Sequence, residues 1–225
     1  MNILALDTST EYCSTAVWRD GAVVERDLHA GQSHSELLLG MVDEVLAESG
    51  VTLAGLDAIA YGAGPGTFTG LRIGCGVAQG LAYAIDRPMV GVGTLLALAT
   101  GCGAARVVCC LDARMQQVYY AAYVYDGSAW TEAHAPALYA PACVPAIDGD
   151  GWTGCGSGFL AYRDALEQRY GNQLACILPD AHPRARDIAQ LAVAAYRNGA
   201  AIAPDEAAPY YIRDKVALKT DERTS

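Results

Sequence analysis

The sequence predicts an α/β fold on three observations. Apolar runs of strand length alternate with longer helical runs, two Asp-Gly dipeptides mark hairpins, and the second half opens much as the first does. A length of 225 residues is about one and a half domains of ~150 residues, leaving one large domain or two small lobes. With 52% apolar and 18% charged residues, the chain can bury a real core. That excludes a disordered tail and makes disulfide staples unnecessary.

The elements follow in order. Residues 2–6, 12–18 and 22–28 are apolar strand runs, the last two joined by the hairpin dipeptide Asp20-Gly21. Ser33-His34-Ser35-Glu36 fits a capping box opening a helix that runs to about residue 49, where Gly50 ends it. A brief strand at 58–61 leads through the loop Gly62-Ala63-Gly64-Pro65-Gly66 into a helix over 68–85. Asp86-Arg87-Pro88 breaks that helix before a strand at 89–92 and a further helix. The first lobe therefore reads βββαβα, extended by one strand and one helix.

The strand at 106–111 ends in Leu111-Asp112 as the first ends in Leu6-Asp7, and Asp126-Gly127 repeats the Asp-Gly turn at a similar spacing. This echo predicts two related lobes, 1–101 and 102–225, with the late helix and tail packing back on the first. A Pro- and Ala-rich stretch over 133–145, the loop Gly154-Cys155-Gly156-Ser157-Gly158, helices near 160–170 and 184–198, an extended run over 210–218 and a charged tail complete the chain.

Lys and Arg number 15 against 25 Asp and Glu, a net charge of -10. Residues 1–60 hold only Arg19 and Arg26 as cations, and nucleic-acid binding rests on cations that neutralise phosphates. Any nucleic-acid role therefore needs a partner. The eight cysteines form no CxxC pair and no Cys/His cluster of zinc spacing, so they are expected as reduced core residues and no metal site is expected. The N-terminus lacks a basic region and meets an acid at Asp7, which predicts a strand rather than a signal peptide and a cytoplasmic protein. The uncharged stretch 88–105 is interrupted by four glycines and reads as strand, turn and buried helix rather than a membrane span.

Three motifs bear on chemistry. The loop Gly62 to Thr67 lies between strand and helix, where backbone N–H groups can cradle a phosphate, with Gly64 and Gly66 as the candidates. It matches neither GxGxxG nor a Walker loop, and the only lysines are Lys215 and Lys219, so a tight structural turn is the competing reading. Asp7 and Thr8 follow a strand and can present a carboxylate and hydroxyl to a metal-bound phosphate, or form a plain strand-end turn. Gly154-Cys155-Gly156-Ser157-Gly158 lacks a residue between Gly156 and Ser157 that a GxSxG elbow requires. His34 has Leu38, not histidine, four residues on.

The helices of the first lobe carry the stronger signal. Leu37, Leu38, Leu39, Met41, Val42, Val45 and Leu46 cover roughly 200° of one helix, more than a single sheet face covers. The next helix has no charge from Ile73 to Ile85 and carries two glycine pairs four residues apart, Gly70/Gly74 and Gly76/Gly80, with Val77 and Leu81 within and just beyond the second. Either a second protein covers this excess or the chain's own second lobe does.

Together, Ile3-Leu4-Ala5-Leu6-Asp7-Thr8-Ser9, Ser33-His34-Ser35-Glu36, the segment from Gly64-Pro65-Gly66-Thr67 to Gly74, Leu111-Asp112-Ala113-Arg114-Met115 and Pro209-Tyr210-Tyr211-Ile212-Arg213 resemble the bacterial TsaB (YeaZ) family along nearly the whole chain. The resemblance implies an actin-like ATPase (ASKHA) fold of two ribonuclease-H-like lobes. It also implies a non-catalytic part in making N6-threonylcarbamoyladenosine on tRNA, without a cofactor. The implied partners are the paralogous transferase TsaD and the ATPase TsaE, with tRNA met only through the complex, no membrane, and a homodimer as a further possibility. The TsaD contact is implied on the two first-lobe helices. Where TsaD is implied to carry a His-x-x-x-His metal motif, this chain has Thr94 and Leu98: neither is an imidazole, and the alkyl side chain of Leu98 offers no lone pair. The rival readings are an ATPase or phosphotransferase of the same fold and a peptidase, as the older naming of the paralogue implies.

Overall fold

The computed structural model describes residues 1–213; the expected extended run beyond that point and the charged tail lie outside the described residues. Strands β1 (Asn2–Asp7), β2 (Tyr12–Arg19) and β3 (Ala22–His29) form an antiparallel meander, and β4 (Ala58–Gly64) and β5 (Met89–Gly93) add in parallel on the other side of β1. The order is β3-β2-β1-β4-β5. Asp20 and Gly21 both take positive φ, 48° and 96°, as a two-residue hairpin whose twist matches its strands requires.

The second sheet repeats this plan. Strands β6 (Arg106–Asp112), β7 (Val118–Tyr125) and β8 (Trp130–Tyr139) form the meander, and β9 (Trp152–Cys155) and β10 (Leu174–Leu178) run parallel beyond β6. Its order, β8-β7-β6-β9-β10, is that of the first sheet element for element. Both sheets carry helices, and the doubled order is the two-lobed α/β arrangement of the actin-like fold.

Helices α1 (His34–Ser49) and α2 (Phe68–Ile85) cover one face of the first sheet, packing Leu38, Met41, Val42, Val45, Cys75, Ala78 and Ala82 against Leu4, Leu6, Val17 and Tyr61. Helix α6 (Ala185–Arg197) covers the other face, where Ile188, Ala189 and Ala192 meet Ile3, Ala5, Ala16 and Ala60. Alternate residues of β1 thus serve opposite cores, as the two-residue period of a strand dictates. Helix α3 (Thr94–Gly101) belongs to the first half of the chain but packs Leu95, Leu98 and Ala99 on the second sheet against Val107, Cys109 and Ala121. Helices α4 (Gly158–Ala161) and α5 (Arg163–Tyr170) close that sheet's far face through Phe159, Leu166 and Tyr170. Each half thus lends a helix to the other, and the stretch 88–105 resolves into β5 and α3. No helix of the described residues is long and apolar enough to cross a membrane.

Several sequence expectations need correction. Ser33 flanks α1, but no side-chain capping bond forms; its carbonyl accepts the Glu36 and Leu37 N–H groups instead. Strand β4 runs to Gly64, so half of the expected glycine loop is ladder. The helix expected over 160–170 is two, parted at Tyr162, whose backbone angles are not helical. The Ala-rich stretch begins inside β8, and β10 has no strong period to announce it. Among the cysteines, 13, 75, 109, 110 and 155 are core, whereas Cys143 and Cys176 are exposed.

Candidate functional site

At the end of β1, Asp7 and Thr8 are sealed under α2, while Ser9 and Thr10 beyond them line a cavity between the lobes. Asp7 is fully buried; its Oδ1 accepts the Ser9 N–H at 2.8 Å and the Ser9 hydroxyl at 2.7 Å, while Oδ2 has no hydrogen-bond partner among the described residues. Burial pushes its carboxyl up to about 6 against the two Ser9 hydrogen bonds that pull it down. Thr8 donates its hydroxyl to the Gly70 carbonyl at 2.7 Å.

The glycines explain how the helix comes so close. A Cβ at Gly70 would overlap the Thr8 carbonyl oxygen, one at Gly74 would stand 2.6 Å from Thr8 Oγ1, and one at Gly66 2.5 Å from the Ser9 carbonyl oxygen. Gly64 lies under the Tyr210 carbonyl, and its neighbour Ala63 accepts the Tyr210 N–H. The Thr67 N–H donates to the Ser9 carbonyl. Of the phosphate-binding candidates, Asp7, Thr8 and Gly64 thus pack against the chain's own backbone and side chains, whereas Gly66 also lines a cavity between the lobes. Thr94, also buried, donates to the Pro65 carbonyl, and Leu98 is core. His34 is buried too, with Nε2 2.9 Å from the Thr10 carbonyl. Ser157 accepts the Asp112 N–H through its hydroxyl.

Between the lobes lies a cavity of about 290 Å³, and here the structure brings together residues whose roles the sequence left unassigned. Arg114 bridges the lobes to Glu11 at 2.8 Å while holding Asp112 of its own lobe at 3.1 Å. Arg114, Met115 and Gln116 all take positive φ, a costly conformation for side-chain-bearing residues. Arg72 lies 3.6 Å over the Phe68 ring and donates to the Tyr211 hydroxyl, and Arg213 donates to Gln117. Residues 204–213 thus strap the first lobe to the second, helped by Gln79 donating to the Pro204 and Ala207 carbonyls and Tyr61 to Ala208. No local signal reveals this, because the partners lie between 96 and 147 residues apart.

The third feature is the outer face of α1 and α2. Of the residues expected to meet a partner, Leu38, Met41, Val42, Val45, Gly70 and Gly74 are corrected to the chain's own core, where sheet and helices already cover them. What remains open is narrower: Leu39 at 53% exposure, Tyr83 at 59%, Gly40, Gly76 and Gly80, flanked by half-buried Leu37, Ile73, Val77 and Leu81. A Cβ at Gly40, Gly76 or Gly80 would meet nothing within 4 Å. Of the two glycine pairs, one serves the fold and the other faces outward.

A family model described as TsaD, tRNA N6-adenosine threonylcarbamoyltransferase, matches residues 28–220. The chain is 38% identical to the tRNA threonylcarbamoyladenosine biosynthesis protein TsaB of Escherichia coli, with 97% of each chain covered. It is 34% identical to the protein of that name from Haemophilus influenzae, covering 97% of this chain and 96% of the relative. The solved structure of YeaZ from Pseudomonas aeruginosa superposes with a TM-score of 0.86 at 37% identity, covering 93% of this chain and 99% of that one.

Proposed function

Since this chain belongs to the TsaB (YeaZ) family, we propose that it acts in making N6-threonylcarbamoyladenosine on tRNA, as a non-catalytic scaffold for a transferase of the TsaD kind. The observation that carries the docking site is the open face of Leu39, Gly40, Gly76 and Gly80, where small residues let a partner helix approach backbone to backbone. A match of 193 residues to the TsaD model (28–220) supports a paralogous partner able to present a similar helix pair. TsaE joins the assembly in this reading, and a homodimer of the lone chain would use the same face. The two lobes follow the division of the chain near residue 101, with α3 lent to the second sheet and α6 packed back on the first, and the cytoplasm is its compartment.

Support for scaffold over ATPase comes from the strand-end site. Asp7 Oδ1 and the Thr8 hydroxyl are bonded internally and Gly64 packs under the Tyr210 carbonyl, which leaves fewer groups free to grip a nucleotide phosphate. The test is co-purification with TsaD followed by reconstitution with TsaE, ATP, tRNA and the threonylcarbamoyl donor. Modification that depends on this chain, with none from the chain alone, is the expected result. Modification by the chain alone would overturn the scaffold reading.

A further inference from the structure

His182 lies in residues 179–184, which carry the chain from β10 on the second sheet to α6 on the first. Its ring stacks on Tyr12 of β2, centroids 3.5 Å apart and planes 8° from parallel. Nε2 stands 2.8 Å from Asp27 Oδ2 on the edge strand β3, and Nδ1 stands 3.2 Å from the Asp180 carbonyl oxygen. Neither acceptor has a proton to give, and a neutral imidazole has only one N–H. Only the imidazolium satisfies both contacts, and as a cation it also gains from the face of the Tyr12 ring.

We infer that His182 and Asp27 form a pH-sensitive clasp, which when protonated pins the crossover between the lobes to the edge of the first sheet and when deprotonated lets it go. Beside it lies a cavity of about 420 Å³ whose wall includes Tyr12, His29 and His182, so the clasp fixes one side of that opening. Burial alone would lower the imidazole's pKa, but the Asp27 hydrogen bond and charge, with the Asp180 carbonyl, raise it above its ordinary value. The charged and titratable groups around it are His29 on β3, Asp7 on β1, Arg184 just before α6, which opposes the charge, and Asp187 within α6, with Glu11, Asp112, Arg114 and Asp180 on the wall of the same cavity. A histidine raised in the folded state adds stability that is complete below its unfolded value near 6.5 and lost as pH rises through the folded value. The clasp therefore loosens on the alkaline side.

An NMR titration of the whole chain tests this inference separately from the scaffold reading. The His182 ring should titrate with a midpoint above about 6.5, and Asp27→Asn should lower that midpoint by about one pH unit or more. The backbone amides of Tyr12, His29 and Ala181 should shift with the same midpoint in the wild type, and stay still in His182→Gln. A midpoint at or below about 6.5, no change in Asp27→Asn, amides indifferent to the ring, or amide shifts that persist in His182→Gln would each overturn the clasp.

Discussion

Two glycines of one helix illustrate how much a single position decides. Gly70 lies against the Thr8 carbonyl, so Gly70→Ala forces backbone apart and should cost about 3 kcal/mol or more, the upper range for overpacking. Gly76 has open space where a methyl would go, so Gly76→Ala should stabilise the isolated chain by roughly 0.5–1 kcal/mol through helix propensity. Denaturant unfolding of both variants checks the contrast, and equal effects would contradict the packing described. Asp7 offers a second residue-scale prediction. Its pKa is about 6 in the folded chain against an ordinary 3.8, so the folded state holds the proton more tightly. Stability should fall as pH rises from about 4 to 6 and level off above, by on the order of 3 kcal/mol at 1.36 kcal/mol per unit. Asp7→Asn should remove that fall, so the variant gains on the wild type across the window; parallel curves would mean that Asp7 ionises freely.

At the scale of elements, α1 and α2 divide their residues between two tasks. Leu38 is fully buried in the first core, and Leu38→Ala should cost about 2–5 kcal/mol whether or not a partner is present. Leu39 is its neighbour in sequence but faces outward, so Leu39→Asp should leave the fold within about 0.5 kcal/mol while abolishing co-elution with TsaD. Gly80→Arg should do the same by setting a desolvated charge in the seam. Size-exclusion chromatography with circular dichroism separates the outcomes, and two folded variants that still bind would move the interface elsewhere. Gly74→Arg cannot test the interface, because it would drive a long side chain into Thr8 and disturb the core. The wide apolar arc of α1 was legible from its period, but the period could not say that α2 and the sheet together cover most of it.

For the whole molecule, the expected outcome is a protein that works only in company. The purified chain should hydrolyse no ATP at enzymatic rates and retain no stoichiometric zinc or iron after dialysis against chelator, since Thr94 and Leu98 offer no ligand pair and the cysteines no zinc spacing. Elemental analysis and phosphate release check both, and one retained equivalent of metal would mean that other residues supply the ligands. The sequence by itself determined what depends on neighbours in the chain: the strand and helix periods, the Asp20-Gly21 hairpin, the Gly50 helix stop, the doubled strand–Asp–hairpin pattern, and the motifs that carry the family resemblance. Only the tertiary structure decided that α3 and α6 are exchanged between the sheets, that Gly70 and Gly74 face inward while Gly76 and Gly80 face out, and that Asp7 is sealed. It alone brought Arg114 to Glu11 and His182 to Asp27. Periodicity specifies which residues share a face, whereas what covers that face can lie far along the chain, as α6 does from β1 with Ile188 against Ile3, brought together by sheet pairing and packing rather than by any local pattern.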